Sequence, residues 1–231
     1  MCCHMTSPNT YEDTKVAWDR KHNEGWGDTD PMQPWIFSYM SGHRTEIGED
    51  ILDLGCGKGR YLLPLAKMDF SMTGLDISPD GLEELKRIME EQRISARLIC
   101  GSVHDTEFED SEFDSALSVQ VLSHLTWPDI GQTVKNVRRA IKDNGSFILR
   151  VRSVSHNNLQ SREPIADYGC TYRETSGSKT GIIQHSFTAE EVCLLARQND
   201  FEVVFGPFET KNKKSDGERI RAHWNAVYKA V

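Results

Sequence analysis

The stretch that decides the fold is Asp50–Arg60, which has the sequence DILDLGCGKGR. Its first five residues form a mainly apolar run with the length of a buried strand, and three glycines at alternate positions follow directly. Apolar residues then recur at helical spacing from Leu62 to Met68. The stretch therefore predicts a buried strand, a glycine turn and a helix.

The same alternation continues on the carboxyl side of this stretch. Further strands are predicted at Ser71–Ile77, Arg97–Cys100, Asp114–Val119 and Ser146–Val151. Helices are predicted to begin at Ser78-Pro79 and at Trp127-Pro128-Asp129, the second one ending at Asn144-Gly145. Strands that alternate with helices form a parallel sheet covered on both faces. We therefore predict an α/β fold with a parallel sheet that carries helices on both faces.

The two flanks are less regular than the centre. Before the sheet, Tyr11–His22 and Pro34–Arg44 are predicted helices. After it, Ser153–Gln184 is polar and predicted to be irregular, and a T-x-x-E capping box at Thr188 opens a helix that ends at Asn199. The remaining predictions are strands at Phe201–Phe208 and Ala222–Val231, joined by a solvated loop, Glu209–Gly217, that carries Lys211, Lys213 and Lys214.

Composition and charge limit the classes of function. The 231 residues carry a net charge of −8, which gives no general attraction to phosphate backbones or anionic membranes. No stretch approaches the roughly 18–20 consecutive apolar residues of a membrane span, and Met1–Thr10 is polar without an apolar signal core. We expect a soluble cytoplasmic protein with no membrane partner, and nucleic acid is disfavoured as a partner.

The six cysteines form no C-x-x-C pair. Cys2-Cys3-His4 either supplies metal ligands or is a frayed chain end, and we predict no metal site.

The chemistry begins at the glycine turn, because ligands of α/β sheets bind at the carboxyl ends of the strands. The turn is not a dinucleotide G-x-G-x-x-G fingerprint, since its third glycine comes one residue early and the bulky Arg60 follows. No Lys-Ser or Lys-Thr follows it either, which excludes a P-loop. Asp53, just before the turn, repels phosphate and attracts a cation, whereas Asp76, nineteen residues after Gly57, has the spacing of an acid that binds ribose hydroxyls. One acid for an ammonium and another for a ribose fit S-adenosylmethionine.

Four motifs in this order, LDLGCGKG, GLDIS, FDSALSVQVLSHL and DNGSFILRV, resemble the class I S-adenosylmethionine-dependent methyltransferase family. The resemblance covers roughly residues 50–152, and the C-terminal part is loosely similar to small-molecule and tellurite-resistance-type members. It implies a doubly wound, Rossmann-like α/β fold with a seven-stranded sheet that is mostly parallel, has one antiparallel strand and carries helices on both faces. It also implies S-adenosylmethionine as cofactor and a single methyltransferase domain over residues 1–231. Within that domain, 1–48 is expected to be an N-terminal helical lid, 49–152 the cofactor-binding half, and 153–231 an acceptor-lid insert followed by the C-terminal strands.

The resemblance also implies roles for the matching residues. Asp53 would steer the methionine amino group, and Asp76 would bind the ribose hydroxyls with Ile77 against the adenine. Arg60 either reaches the methionine carboxylate or is solvated on the helix surface. Many members of the family carry an acid that binds the adenine amino group. This chain has Ser102 and Val103 in that stretch instead, whose hydroxyl or backbone would serve. The full cofactor-binding set comprises Asp53, Gly55, Cys56, Gly57, Gly59, Arg60, Asp76, Ile77, Ser102, Val103 and Gln120.

Methyl transfer requires in-line positioning, exclusion of water and, for an acceptor that is protonated at working pH, a base. His124 and His185 are the catalytic candidates, each with a structural hydrogen-bonding role as the alternative; the further candidates are His156, Tyr168 and Tyr172. The aromatics Tyr11, Trp18, Trp26 and Trp35 either face the sulfonium through cation–π attraction or dock a peripheral helix on the core.

The acceptor is expected to be a small molecule. The position after the fourth strand, Ser118–Leu122, has no aromatic residue to stack a flipped base. The segment 153–185 is expected to cover the acceptor. Two alternatives stay open: a tRNA or protein methyltransferase working with a partner, which the G-R-Y-L run at Gly59–Leu62 keeps in view, and a non-catalytic S-adenosylmethionine-binding domain. The sequence gives no oligomeric state.

Overall fold

The strand β1 (Asp50–Leu54) lies in the middle of the main sheet, and four of its five residues are buried. It pairs in parallel with β2 (Ser71–Asp76) on one side and with β4 (Ser115–Val119) on the other. The computed structural model describes residues 11–24, 32–157, 161–165, 169–176, 180–213 and 219–231. The remaining strands of this sheet are β3 (Arg97–Cys100), β5 (Ser146–Arg152), β9 (Phe201–Lys213) and β10 (Ile220–Ala230).

The seven strands stand in the order β3-β2-β1-β4-β5-β10-β9. Pairing is parallel from β3 to β5, and β10 runs antiparallel to both of its neighbours, β5 and β9. The chain moves outward from β1 to β3 and then returns to the other side of β1 with β4. The carboxyl ends of β1 and β4 therefore flank the switch point at which ligands of such sheets bind.

Helices cover both faces of the sheet, as predicted. One apolar core lies under the helices α6 (Trp127–Ala140) and α7 (Ala189–Gln198), which contribute Val134 and Leu195. The other lies under α2 (Pro34–Gly42) and α5 (Pro79–Gln92), which contribute Met40 and Leu85. The helices are α1 (Tyr11–Asn23), α2 (Pro34–Gly42), α3 (Arg44–Ile47), α4 (Leu62–Ala66), α5 (Pro79–Gln92), α6 (Trp127–Ala140) and α7 (Ala189–Gln198), with a 3₁₀ turn at Leu122–His124. Two apolar layers around one sheet confirm the doubly wound α/β fold.

The segment after β5 differs from the prediction. Instead of an irregular stretch, it contains a separate antiparallel sheet of β6 (Arg162–Pro164), β7 (Thr171–Glu174) and β8 (Ile183–His185), in that order. These strands have only three or four residues each, which is too short for a reliable alternation pattern. The prediction of an irregular segment was therefore wrong.

Other boundaries also shift, and the helix predicted to end at Asn144-Gly145 ends instead at Ala140. The predicted helix Pro34–Arg44 is divided at His43 into α2 and α3. The predicted loop from Glu209 is instead the second half of β9, because Glu209 and Lys211 pair with residues of β10. Lys214 and Gly217 lie outside the described residues. Within the described ranges, no helix has both the length and the apolar composition needed to cross a membrane.

Candidate functional site

The glycine turn between β1 and α4 has a backbone that requires glycine. Gly55 and Gly59 have φ angles of 67° and 84°, in the left-handed region that side chains disfavour. A Cβ on Gly55 would lie 2.2 Å from Val121 Cγ2, and one on Gly59 would lie 2.4 Å from Leu85 Cδ1. The turn is anchored to β2, since the Gly55 N–H donates to the Leu75 carbonyl at 2.7 Å. This geometry brings bare backbone to the crevice beside β1.

Asp76 joins the end of β2 to this turn. Its Oδ2 accepts from the Gly57 N–H at 2.8 Å, and its Oδ1 accepts from the Ser78 N–H at 2.9 Å. Burial raises the pKa of this carboxyl, while the Ser78 N–H and the nearby His22 oppose the rise. The two hydrogen bonds fix the orientation of the carboxylate at the carboxyl edge of the sheet, and each oxygen keeps further acceptor capacity.

Asp53 is a buried acid that lacks a full set of partners. It is 3% exposed, and its Oδ2 has no hydrogen-bond partner among the described residues. Burial, reinforced by the charge of Asp76, raises the pKa of Asp53 to about 8, while Arg60 and a backbone hydrogen bond from Leu62 oppose the rise. Such a carboxyl is stabilised by a cation placed against the unmatched oxygen. The residues present therefore fit a ligand that brings an ammonium group to β1 and hydroxyl groups to Asp76.

The helix α1 lies across this turn. The His22 imidazole packs on Gly57, where an added Cβ would lie 3.2 Å from His22 Cε1. Two polar contacts tie α1 to the start of α5: Ser78 Oγ donates to Asp19 Oδ1 at 2.5 Å, and Asn23 Nδ2 donates to Asp80 Oδ2 at 2.9 Å. The predicted N-terminal helix thus stands at the entrance to the crevice.

The other predicted cofactor residues are placed in different ways. The Cys56 side chain belongs to the apolar core, where burial raises the pKa of its thiol, so only its backbone lies at the turn. Ser102 and Val103 are buried after β3, and Ser102 Oγ shares a hydrogen bond of 2.8 Å with His104 Nδ1. Ile77 is half-buried at the end of β2.

Gln120 follows β4 with a φ of 65°, an unusual conformation for a residue other than glycine. Its N–H donates to the Arg150 carbonyl at 2.7 Å, which ties the end of β4 to β5. Backbone strain of this kind is often held at functional sites by the surrounding structure. The strained residue is the one for which the resemblance implied contact with the methionine part of the cofactor.

His124 lies at the end of the 3₁₀ turn, one helical turn beyond Gln120. Its ring is 4.7 Å from the Trp18 ring of α1, and its Nδ1 is 2.6 Å from Gln184 Nε2 of β8. A small cavity of about 10 Å³, the size of one water, is lined by Thr14, Ala17, Trp18, His124, Ile182 and Ile183. His124 therefore lies where α1, the end of β4 and the small sheet meet.

The structure does not bring His185 to the same place. Strand side chains alternate, so His185 projects to the opposite face of β8 from Gln184. It is buried with its Nδ1 2.7 Å from Thr171 Oγ1 and its ring 5.2 Å from the Trp127 ring. Burial lowers the pKa of His185. These contacts favour the structural alternative for this histidine.

The remaining candidates are dispersed. The Ala222 N–H donates to His156 Nδ1 at 3.3 Å, so this imidazole caps β10. The Tyr172 hydroxyl is 3.2 Å from Ser186 Oγ, within the small sheet region. Tyr168, Trp26, Cys2, Cys3 and His4 lie outside the described residues.

Sequence reasoning missed three residues that the structure places around the site: His22, Arg152 and Gln184. Arg152 carries a signal in the sequence, because the fifth strand SFILRVR has two arginines in a run that is buried throughout. A charged residue in a buried strand is unusual and marks a position for inspection. His22 and Gln184 have no such signal, since their positions depend on how distant segments pack.

Comparison with known proteins relates this geometry to a family. Residues 51–145 match the family model of the methyltransferase domain. The sterol 4-C-methyltransferase of Caenorhabditis elegans is 30% identical over 110 residues, which are 46% of this chain and 32% of that protein. The ubiquinone biosynthesis O-methyltransferase of Rickettsia akari is 27% identical over 114 residues, which are 49% of this chain and 43% of that protein. The matched region is thus less than half the length of either relative.

The fold has solved counterparts that extend over the whole chain. The 1,6-didemethyltoxoflavin-N1-methyltransferase of Burkholderia thailandensis, crystallised with 1,6-didemethyltoxoflavin and S-adenosylhomocysteine, superposes with a TM-score of 0.72 at 16% identity. The superposition covers 100% of this chain and 93% of that one. The prediction made from the four sequence motifs is therefore confirmed: residues 51–145 form a methyltransferase domain, and the chain has the fold of class I S-adenosylmethionine-dependent methyltransferases.

Proposed function

We propose that this protein is an S-adenosylmethionine-dependent methyltransferase that acts on a small molecule. The observation that carries the proposal is the buried Asp53 carboxyl, whose Oδ2 has no partner among the described residues and which lies just before the glycine turn that is hydrogen-bonded to Asp76. An unmatched acid suits the ammonium of the methionine part, and an oriented acid suits a ribose. When bound, the sulfonium supplies an electrophilic methyl group.

The residues of this chain would hold the cofactor in separate parts. Asp53 would pair with the amino group, and Arg60 would reach the carboxylate. Asp76 accepts hydrogen bonds from the ribose hydroxyls, while Ile77, Ser102 and Val103 border the adenine. Gln120 would present its backbone near the transferred methyl, and the turn of Gly55, Gly57 and Gly59 would line the methionine and ribose with its backbone. Cys56 contributes through its backbone because its side chain is in the core.

The relatives support a small-molecule acceptor, since their names state action on a sterol and in ubiquinone biosynthesis. We place the acceptor beside His124, where α1, the end of β4 and the sheet of β6, β7 and β8 meet, with α1 as the lid. His124 would touch the acceptor or cofactor, whereas His185 is the weaker catalytic candidate because of its buried contacts. The cytoplasmic location, the division into lid, cofactor half and acceptor insert, and the tellurite-resistance-type affinity remain predictions.

Calorimetry with S-adenosylmethionine and S-adenosylhomocysteine tests the cofactor site, with NADH as the control ligand. We expect micromolar binding of the sulfur ligands and none of NADH. The Asp76→Asn substitution keeps the shape of the side chain but removes the charge, so it should weaken binding by about 1.5–3 kcal/mol, the value of hydrogen bonds to a charged group. Glu84→Ala, on the exposed side of α5, is the matched control and should leave the affinity unchanged. Absence of binding by the unaltered protein would reject the proposal, and binding without transfer to any acceptor would favour the non-catalytic alternative.

A further inference from the structure

Arg152, the last residue of β5, is a buried cation whose hydrogen-bonding capacity is only partly used. It is 4% exposed, and its Nη1 donates to Gln184 Oε1. Its Nε and Nη2 have no hydrogen-bond partner among the described residues, and no described carboxylate forms an ion pair with it within 4.0 Å. A buried guanidinium is disfavoured unless such groups are matched, so these two nitrogens indicate a partner of opposite charge.

The two unmatched nitrogens lie on the edge of the guanidinium that binds carboxylates side by side. Two other arginines of this chain use this edge in that way. Arg44 donates from Nε and Nη2 to the two carboxylate oxygens of Glu49 at 3.0 and 2.6 Å. Arg87 does the same to Glu84, at 3.1 and 2.8 Å. Arg152 presents the same edge without a carboxylate among the described residues.

The charges around Arg152 leave it incompletely compensated. Burial lowers the pKa of Arg152, Tyr172 and Glu174 oppose this without cancelling it, and the charge of Arg162 lowers the pKa further. The Tyr172 ring centroid is 5.7 Å from Arg152 Cζ and 4.2 Å from Arg162 Cζ. An aromatic ring and two guanidinium groups thus border the same region, beneath the small sheet of β6, β7 and β8.

A second buried arginine on the same face of β5 shows a different arrangement. Arg150 donates to Thr210 Oγ1 at 3.1 Å and to Asn225 Oδ1 at 2.6 Å, and its Nη2 is 2.9 Å from His223 Nδ1. Burial and the charge of Arg150 lower the pKa of His223 to about 2, so this imidazole is neutral and accepts the hydrogen bond. The Nη1 and Nη2 donors of Arg150 are therefore occupied by protein groups, whereas the carboxylate-binding edge of Arg152 is left for another molecule.

Gln184 connects Arg152 to the candidate reaction site. Because a guanidinium can only donate, the Gln184 amide must turn its oxygen to Arg152 and its nitrogen to His124 Nδ1, 2.6 Å away. The Ile183 carbonyl also lies 3.3 Å from His124 Nδ1, but the Gln184 amide nitrogen is closer, so the amide contact assigns Nδ1 as an acceptor and places the proton of a neutral His124 on Nε2. The backbone N–H of Arg152 also donates to Oγ of Ser123, the residue before His124 in the chain, at 2.7 Å. Arg152 and His124 thus belong to one hydrogen-bonded group at the ends of β4 and β5.

We propose that the methyl acceptor carries a carboxylate and that the Nε–Nη2 edge of Arg152 binds it. The proposal rests on the proposed function, since it names the chemical class of the acceptor for that same site. Arg152 is then the residue that selects a carboxylate-bearing acceptor, and the Gln184 amide fixes both the guanidinium and the His124 tautomer beside it.

The direct test is nuclear magnetic resonance of the arginine Nε–H groups in protein saturated with S-adenosylhomocysteine. The probes are acetate and benzoate, with acetamide and benzamide as neutral analogues of the same shape. We expect a saturable shift of the Arg152 Nε–H signal with the carboxylates and none with the amides. Acetate is small enough that shape does not exclude it, so absence of a shift with both carboxylates overturns the proposal. A response to inorganic phosphate alone overturns the carboxylate assignment.

Variants test the same point independently. Arg152→Lys keeps the charge but loses the paired donors, and Gln184→Glu supplies the cluster with its own carboxylate; each should weaken carboxylate affinity about tenfold or more. Arg87→Lys, on the exposed face of α5, is the matched control and should stay within about twofold. Unchanged carboxylate affinity in both site variants overturns the proposal, and if Arg152→Lys fails to fold, Gln184→Glu and the unaltered protein decide. Calorimetry with S-adenosylhomocysteine separates the two failures: cofactor binding without carboxylate binding rejects this inference alone, whereas lost cofactor binding rejects the proposed function.

Discussion

The carboxyl group of Asp53 is held in an environment that disfavours its charge. It lies on β1 between the parallel partners Gly74 and Leu117, and the charge of Asp76 disfavours its ionised form more than the charge of Arg60 favours it. The fold tolerates this because a protonated carboxyl costs little to bury, and a bound ammonium would convert it into a matched pair. In the protein without ligand, Asp53 should therefore make stability depend on pH.

The sign of this dependence follows from the pKa of about 8 in the folded protein against the ordinary 3.8. A raised pKa means that the folded state binds the proton more tightly, so the contribution of Asp53 is fully present below about pH 4 and is lost as the pH rises through about 8. We predict that ligand-free Asp53→Asn gains stability relative to the unaltered protein between pH 5 and pH 8, by about 1 kcal/mol or more. Urea unfolding at several pH values measures the difference.

Asp110→Asn provides the control for this experiment, because the Asp110 side chain is 80% exposed and the substitution should give a difference that does not change with pH. If the difference between Asp53→Asn and the unaltered protein is equally flat, the Asp53 carboxyl is already ionised in the folded protein. The pairing with a ligand ammonium would then lose its main physical support.

Residues with a local signal could be predicted, and residues placed by distant packing could not. The structure confirms that Asp53 and Asp76 lie at the carboxyl edge of the sheet, as the spacing of strand, turn and strand predicts, while their roles in binding stay predictions. Their actual environment, with Gly57 donating to Asp76, agrees with that reasoning. The Arg152–Gln184 contact joins residues 32 apart through a sheet whose strands are too short to detect, so no sequence pattern indicated it.

The same distinction holds for whole elements. The strands β1 to β5 were predicted within a residue or so at each end, because a buried parallel strand is a continuous apolar run. The helix α7 was predicted from its capping box, which the structure confirms with Thr188 and Glu191 bonded reciprocally. The sheet of β6, β7 and β8 was missed because its pairs, such as Tyr172 with Gln184, form across loops that carry no periodicity.

The helix α1 depends on its contacts with the site for stability. An isolated helix of 13 residues is marginal in water, and α1 has little apolar amphipathic character. Its described anchors include the bond from Ser78 to Asp19 and the bond from Asn23 to Asp80, next to the glycine turn. A ligand that binds at that turn should therefore change how often α1 opens.

We predict that the amides of α1 exchange with deuterium faster than those of α6 in the ligand-free protein, and that S-adenosylhomocysteine slows α1 selectively. The comparison with α6 is suitable because its apolar side, including Ile130 and Val134, is fully buried in the core. Asp19→Ala should accelerate exchange in α1 and leave α6 unchanged. Mass spectrometry of the exchanged peptides measures this. Equal protection of α1 with and without ligand would contradict a lid role for this helix.

At the scale of the whole molecule, charge separates the small-molecule hypothesis from the tRNA alternative. The net charge of −8 repels a polyanion, and the short basic clusters of the sequence are paired with acids in the structure. The paired cations are Arg138, 2.8 Å from Asp143, Arg139, 3.4 Å from Asp110, and one residue of the C-terminal lysine cluster, Lys211, 2.8 Å from Glu209. These cations are therefore partly neutralised before any nucleic acid approaches.

We predict that bulk tRNA is not retained by this protein in a filter-binding assay at 150 mM salt, even at concentrations of about 10⁻⁴ M, where proteins with a basic surface bind non-specifically. The assay is repeated at 50 mM salt, because binding through phosphate contacts strengthens steeply as salt is lowered. Retention that follows this salt dependence would restore the tRNA alternative, and S-adenosylhomocysteine bound in the same preparation would show that the cofactor site is intact. No retention at either salt concentration would show that the protein on its own does not bind tRNA electrostatically. A tRNA substrate would then require a basic partner protein.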